Sequence, residues 1–192
     1  MITFNKKLFK VCNDKNNRLC IGLDVDNRKL RINTISYMDG FIKEIIESTI
    51  DLCPIYKINL AFYERLGKKG YDILCKIPEY INKRSITIAD AKRGDIGNSS
   101  KYYAEAIFKT LNYDSITVSP YMGEDSIQPF CEYEDKGVFI LCLTSNSGSS
   151  NFQNKKIDNK ELYVYVSELA VKMNVNNNIG LVVGATKNDQ MN

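Results

Sequence analysis

The 192-residue sequence contains no histidine. Histidine acid-base catalysis, Ser-His and Cys-His nucleophile systems and His-ligated zinc are therefore excluded, and any chemistry must use lysine, aspartate, tyrosine or the backbone. The six cysteines form no Cys-x-x-Cys pair, and most lie in apolar runs, so we expect reduced structural thiols. No Walker signature or other glycine-rich phosphate loop occurs, which leaves nucleotide triphosphate chemistry without a binding motif.

Long hydrophobic runs and strong charge imbalance are also missing. No apolar run approaches the length of a membrane span, and residues 1–12 lack the apolar core and cleavage signal of an export peptide. The formal net charge is +3, with lysines and acids interspersed and no basic stripe. We therefore expect a cytoplasmic protein with neither a membrane nor a nucleic acid as its partner.

What is present is an alternation of short apolar runs and longer amphipathic stretches, which predicts an α/β protein with a parallel sheet. The composition, 44% hydrophobic and 26% charged, is typical of one folded domain, which we expect to span residues 1–192. The predicted strands are residues 19–23, 55–60, 85–89, 115–119, 137–143 and 179–183. The predicted helices are residues 33–51, 61–66, 98–111, 124–133 and 160–173.

Polar residues collect directly after four of the predicted strands. In a (β/α)8 TIM barrel the carboxyl ends of all strands open onto a single mouth, whereas an open doubly wound sheet collects polar groups only around one switch point. Four contributing strands therefore favour the barrel. A complete barrel has eight strands and typically about 250 residues, so we expect an incomplete one with about six of the eight units. Residues 187–192 are at most the start of the following helix.

Residues 86–96 are the most informative segment, because an apolar run stops abruptly at four charges within six positions. At strand spacing Asp90 and Lys92 point to the same side, and each stabilises the charged form of the other. Such a pair can persist inside a cleft, which makes Asp90, Lys92 and Asp95 candidate catalytic residues. The alternative is a solvated loop in which Asp95 caps a helix that begins near Gly97.

Four segments together resemble the orotidine 5'-monophosphate decarboxylase family, and the resemblance extends over essentially the whole chain. They are Gly22-Leu23-Asp24, Tyr56-Lys57-Ile58-Asn59, Asp90-Ala91-Lys92-Arg93-Gly94-Asp95-Ile96 and Leu143-Thr144-Ser145-Asn146. The resemblance implies conversion of orotidine 5'-monophosphate to uridine 5'-monophosphate in de novo pyrimidine biosynthesis, without a cofactor or a metal. The family binds the substrate's phosphate with a Gln and an Arg after strands seven and eight, so we expect a fragment with impaired activity.

The resemblance also implies a role for each candidate residue. Lys92 would deliver a proton to C6 after carbon dioxide leaves, Asp90 would face the departing carboxylate, and Lys57 and Asp95 would complete an alternating Lys-Asp-Lys-Asp array. The family's homodimer shares its active sites. The resemblance further implies that Asp24 and Asn59 bind ribose hydroxyls or contact the array. Asp95 and Ile96 would reach into the partner's site, and Ser99 would make a contact across the dimer. Ser145, or alternatively Thr144, would bind the pyrimidine.

Two other functions remain open at this point. The related hexulose-phosphate synthases and ketogulonate-phosphate decarboxylases share the Asp-x-Lys-x-x-Asp pattern but use magnesium and place a glutamate on the second strand. Lys57 occupies that position here and would repel a cation. A non-catalytic truncated homologue, kept as a dimerisation or binding module, is the other alternative. The intact Lys57, Asp90, Lys92 and Asp95 argue against it, because nothing structural demands all four.

Overall fold

The structure, a computed structural model, describes residues 2–26, 28–30 and 34–187. Its main feature is a parallel sheet of six strands, whose order in the sheet is the same as their order along the chain. These strands are β1 Cys20–Gly22, β2 Ile55–Asn59, β3 Ile86–Arg93, β4 Ser115–Val118, β5 Gly137–Leu143 and β8 Ile179–Val183. A sequential order with no reversal is that of a barrel and not of a doubly wound sheet. The predicted incomplete TIM barrel is therefore confirmed.

Most of the helices connect successive strands and cover the outer face of the sheet. The helices are α1 Phe4–Asp14, α2 Ile35–Thr49, α3 Ala61–Glu64, α4 Lys68–Ile81, α5 Gly97–Glu105, α6 Glu124–Cys131 and α7 Leu162–Met173. A π-helical turn at Ala106–Thr110 follows α5, a 3-10 turn spans Ser147–Asn151, and a small hairpin pairs β6 Lys156–Ile157 with β7 Lys160–Glu161. In the described part of the chain, no helix has the length and apolar character needed to cross a bilayer.

The hydrophobic core lies between the helices and the outer face of the sheet. Helix α2 buries Met38, Ile42 and Ile46, which are spaced four residues apart and therefore share one helix face. Strand β2 buries alternate residues, and the hydroxyl of Tyr56 lies 2.7 Å from Thr49 Oγ1 of α2. Its intervening residues, among them Lys57, consequently face the inside of the barrel.

Several predicted boundaries were wrong. Strand β3 continues to Arg93, although the prediction ended it at residue 89, because charged side chains that pair with each other are compatible with a strand. Residues 160–161 form β7 and not the start of a helix. Helices α1 and α4 were not predicted, although Ile73, Ile77 and Ile81 keep helical spacing in α4. Residue 33 and residues 188–192 lie outside the described part of the chain.

Helix α1 covers the amino ends of the strands. The backbone N–H of Phe4 donates to Glu134 O at 3.0 Å, and Lys7 forms an ion pair with the buried Asp114. Beyond the helix, Lys15 Nζ donates to Cys53 O at 2.9 Å and to Ser85 Oγ at 2.7 Å. Burial lowers the pKa of Lys15. These polar groups at the amino end are therefore occupied by structural contacts, as expected for the amino-terminal face of a barrel.

Two helical glycines provide a matched test of the packing. A Cβ at Gly70 in α4 would lie 1.8 Å from the backbone oxygen of Tyr63, whereas a Cβ at Gly40 in α2 would meet nothing within 4 Å. We expect Gly70→Ala to lower the free energy of unfolding by about 3 kcal/mol or more, because backbone cannot give way easily. Gly40→Ala should raise it by about 0.5 to 1 kcal/mol. Urea denaturation measures both, and equal effects would contradict the described approach of α4 to Tyr63.

Candidate active site

The candidate site begins with an irregularity in strand β3. Ala89 pairs with Ile116 of β4 and Arg93 pairs with Val118, so that β3 places three residues, 90–92, opposite the single residue Thr117. Lys92 adopts a φ of +49°, a left-handed conformation that costs a residue with a side chain about 1 kcal/mol or more. Bulges of this kind redirect side chains at strand ends.

Three charged residues from two neighbouring strands meet at this bulge. One oxygen of the Asp90 carboxylate accepts a hydrogen bond from Lys92 Nζ at 2.7 Å, and the other accepts one from Lys57 Nζ at 3.1 Å. Lys57 Nζ also lies 3.6 Å from Asp24 Oδ2, beyond the end of β1. The Asp90 side chain is only 9% exposed, whereas that of Lys92 is 48% exposed. The Lys92 side chain is thus accessible to solvent, while its carboxylate partner is buried.

The electrostatics of the site favour the charged forms. Burial opposes the charge on Asp90, but the hydrogen bonds and charges of Lys92 and Lys57 outweigh it and bring the pKa of Asp90 below its ordinary value. Burial likewise opposes the charge on Lys57, yet Asp90 and Asp24 together raise its pKa above the usual lysine range. These shifts favour an ionised Asp90 in contact with a protonated Lys57.

Asp24 and Asn59 lie beside this array. The backbone N–H of Asn59 donates to Asp24 Oδ1 at 3.1 Å, and the side-chain oxygen of Asn59 accepts from the N–H of Ala61 at 3.2 Å. These contacts connect the end of β1 to the end of β2. The structure thus places Asp24, Lys57, Asn59, Asp90 and Lys92 near one another at the ends of β1, β2 and β3.

No ion pair or hydrogen bond joins Asp95, Ile96 or Ser99 to this group in the part of the chain that the structure describes. The ion pairs of the described array join Asp24, Lys57, Asp90 and Lys92 and do not include Asp95. Asp95 Oδ1 instead accepts a hydrogen bond from the N–H of Ile96 at 2.8 Å, and no side chain caps α5, so the helix-capping alternative is wrong. Ile96 is 59% exposed and Ser99 is also exposed.

Thr144 and Ser145 follow strand β5 and differ in their contacts. The Thr144 hydroxyl donates to Asn146 Oδ1 at 2.6 Å and accepts from Gln153 Nε2 at 2.9 Å. The Ser145 side chain is exposed and makes no hydrogen bond to any residue that the structure describes. A Cβ at Gly184, just after β8, would lie 3.0 Å from Ser145 Cα, so the two segments approach closely.

Three supporting residues were missed by the sequence reasoning. Thr117 Oγ1 donates to Asp90 Oδ1 at 2.9 Å, and Gln153 holds the residue after β5. Arg93 anchors the end of the bulge, because its guanidinium pairs with Glu64 and lies 5.3 Å from the ring centroid of Tyr103. The sequence did offer a clue to Thr117, because it is a polar residue within the apolar run of β4. No local sequence pattern pointed to Gln153.

Disulfides and metal-binding clusters are not found among the residues that the structure describes. All six cysteines are unpaired, and four of them are buried. Across residues 2–26, 28–30 and 34–187, no group of three or more His, Cys, Asp or Glu side chains is arranged to hold a metal ion.

Together, the fold and the site define a β/α-barrel protein with an alternating lysine and aspartate cluster at the carboxyl ends of its strands. Residues 17–192 match the model of the Orotidine 5'-phosphate decarboxylase / HUMPS family. The chain belongs to this family. Its decarboxylases are carboxy-lyases, and the chain is an enzyme of that class.

Individual relatives support the assignment. The chain is 50% identical to an orotidine 5'-phosphate decarboxylase of Dehalococcoides mccartyi, over 98% of this chain and 70% of the relative. A Leishmania donovani OMP decarboxylase structure superposes with a TM-score of 0.91 at 40% identity, covering 99% of this chain and 74% of the other. A Plasmodium berghei orotidine 5'-monophosphate decarboxylase structure gives 0.87 at 27% identity, with 98% and 78% covered. The resemblance inferred from the sequence motifs is confirmed.

The lowered pKa of Asp90 predicts a specific pH dependence of stability. Because the folded state binds the proton more weakly, the contribution of ionised Asp90 is fully present above the ordinary aspartate pKa, about 3.9, and is lost as the pH falls through the lower folded value. We expect Asp90→Asn to cost about 2 kcal/mol at neutral pH, and the difference from the parent protein to shrink in acid.

Urea denaturation at a series of pH values measures this difference. Asp72→Asn is the control, since Asp72 forms an exposed pair with Lys68 one turn away on α4 and should change stability by less than about 0.5 kcal/mol at any pH. A penalty for Asp90→Asn that stays constant from neutral pH into acid would contradict the prediction.

Proposed function

We propose that the chain decarboxylates orotidine 5'-monophosphate to uridine 5'-monophosphate, a step of de novo pyrimidine biosynthesis, in a cytoplasmic setting. The observation that carries the proposal is the Asp90 carboxylate held between the ammonium groups of Lys92, at 2.7 Å, and Lys57, at 3.1 Å. A protein of this family that did not catalyse decarboxylation would have no evident need to bind one buried carboxylate with two lysine side chains.

The reaction needs charge stabilisation and one proton. When the bond between C6 and the carboxylate breaks, carbon dioxide leaves and the electron pair remains on C6 of the pyrimidine. An ammonium group fixed beside C6 stabilises this developing charge more than it stabilises the substrate, which is what accelerates the step. Lys92 Nζ then transfers its proton to C6 as general acid, so a single residue serves both purposes.

Asp90 acts first as the anchor of Lys92. Its carboxylate accepts hydrogen bonds from Lys92, Lys57 and Thr117, which together keep it ionised and immobile. Its negative charge also faces the side from which the substrate's carboxylate departs. Repulsion between the two carboxylates raises the energy of the bound substrate relative to the transition state.

The surrounding polar groups supply the substrate contacts. We assign Asp24 and Asn59 to the ribose hydroxyls, because both lie beside Lys57 at the ends of their strands. Ser145 is assigned to the pyrimidine in preference to Thr144. The Thr144 hydroxyl already donates to Asn146 and accepts from Gln153, whereas the Ser145 hydroxyl is free for a ligand among the described residues.

A homodimer with shared sites is part of the proposal. Asp95 has no cationic partner among the described residues, and the neighbouring Ile96 is 59% exposed. Tyr102 of α5 and Tyr121, which follows β4, are 67% and 81% exposed. Exposed apolar groups of this kind favour contact with a second copy, into whose site Asp95 and Ile96 would extend, with Ser99 at the interface.

The magnesium-dependent sugar-phosphate enzymes are the competing members of the superfamily. Lys57 argues against them, because its ammonium group lies within 3.6 Å of both Asp24 and Asp90 and would compete with a cation for their oxygens. Excess EDTA removes the magnesium that these enzymes require. Turnover of orotidine 5'-monophosphate that persists in excess EDTA therefore favours the metal-independent decarboxylase.

The proton donor is tested by Lys92→Ala. We expect the turnover number for orotidine 5'-monophosphate to fall by at least about a thousandfold, since both the charge stabilisation and the proton are lost. Lys68→Ala is the control, because Lys68 forms an exposed pair on α4 and should leave turnover unchanged. Circular dichroism checks that both variants fold. Retained turnover in folded Lys92→Ala would refute the assignment.

The shared site is tested by mixing two inactive variants, Lys92→Ala and Asp95→Ala. If Asp95 completes the partner's site, a mixed dimer carries one site with neither substitution, and we expect up to about a quarter of the parent activity to return, from random pairing. Each variant mixed with itself is the control. Absence of recovery, with exchange of subunits shown independently, would indicate sites built from one chain.

A further inference from the structure

The hydroxyl group of Thr117 makes two hydrogen bonds that link the two central residues of the array. It donates to Asp90 Oδ1 at 2.9 Å and accepts from the backbone N–H of Lys92, also at 2.9 Å. Thr117 is 3% exposed, so water cannot readily replace either bond. We propose that Thr117 is a positioning residue that fixes the Lys92 ammonium group relative to the reacting carbon.

The bulge in β3 explains why such a residue is needed. Between the pairs Ala89 with Ile116 and Arg93 with Val118, three residues of β3 face only Thr117, and the regular backbone ladder is interrupted. Lys92 lies within this interruption in a left-handed conformation, at a φ of +49°. The Thr117 hydroxyl supplies the acceptor that a regular strand partner would have provided to the N–H of Lys92.

The same hydroxyl orients the carboxylate that holds the ammonium group. Asp90 Oδ1 accepts from both Thr117 Oγ1 and Lys92 Nζ, so one oxygen atom joins the positioning residue to the proposed proton donor. The Lys92 side chain is 48% exposed and relies on Asp90 for its location. Thr117 thus fixes the backbone of Lys92 directly, and it fixes the ammonium group of Lys92 indirectly, through Asp90.

This assignment rests on the proposed function for its catalytic meaning, because only a reaction at a fixed carbon makes the exact location of Lys92 Nζ important. A shift of about 1 Å in a reacting group reduces rates by up to about a hundredfold. Substrate binding depends on other groups. Loss of the Thr117 hydroxyl should therefore lower kcat and leave KM nearly unchanged.

The chain offers a closely matched control at the opposite end of the sheet. The hydroxyl of Thr87 also donates to an aspartate, Asp114 Oδ2 at 3.0 Å, and accepts a backbone N–H, that of Asp114 at 2.8 Å. Thr87 is 2% exposed and Thr117 is 3% exposed, so the two side chains are buried to the same extent. The two threonines share their bond types and burial and differ in their distance from the array.

The test compares Thr117→Val, Thr117→Ser and Thr87→Val in the full chain. Valine keeps the volume and removes both hydrogen bonds, while serine restores them. We expect Thr117→Val to lower kcat about 10- to 100-fold with little change in KM, and Thr117→Ser to recover most of it. Thr87→Val should lower thermal stability by a similar amount to Thr117→Val and leave kcat unchanged.

Two further measurements do not depend on turnover. In Thr117→Val, hydrogen exchange of the Lys92 amide should be about tenfold faster, and carbon-13 NMR should find a higher pKa for Asp90, which has lost a donor to its ionised form. Neither should change in Thr87→Val. Parent-like exchange and pKa in Thr117→Val, or an equal fall in kcat in both valine variants, overturns the proposal. If the parent chain fails to turn over orotidine 5'-monophosphate, the proposed function fails, and the two NMR measurements still decide the role of Thr117.

Discussion

The buried carboxylate of Asp90 is the group on which the site depends. A lone carboxylate in this position would be protonated or would destabilise the fold, because removal from water penalises the charge. Here it accepts hydrogen bonds from Lys57 on the preceding strand, from Thr117 on the following strand and from Lys92 on its own strand. The register of three parallel strands must be correct for all three bonds to form, so the fold and the ionisation state of the site support each other.

The two ends of the barrel illustrate a division between stability and function. At the amino end, α1 covers the sheet, and buried polar groups such as Asp114 have their partners within the chain. At the carboxyl end, Lys92 and Ser145 are exposed, and Lys92 is held in a strained backbone conformation. Unoccupied polar groups and local strain are typical of sites that bind a ligand, because the ligand provides the remaining contacts.

Much of this organisation could be predicted from local patterns. The order of the apolar runs indicated a parallel sheet, and the polar residues after four of the runs indicated a common mouth. The spacing of Asp90 and Lys92 on one strand predicted their ion pair, which is present at 2.7 Å. Helix α4 was missed because Gly70 and Pro78 interrupt its sequence pattern, and α1 because its buried residues are few and its role depends on distant contacts.

The sequence by itself determined which residues are chemically available, since the lack of histidine leaves lysine and aspartate, and which strand ends would carry them. Only the tertiary structure decided how these groups are connected. The bulge opposite Thr117 and the bonds of Lys57 and Thr117 to Asp90 arise from pairing between strands. Such pairing joins residues that are 25 or more positions apart, and it depends on register and packing, which no local window of sequence contains.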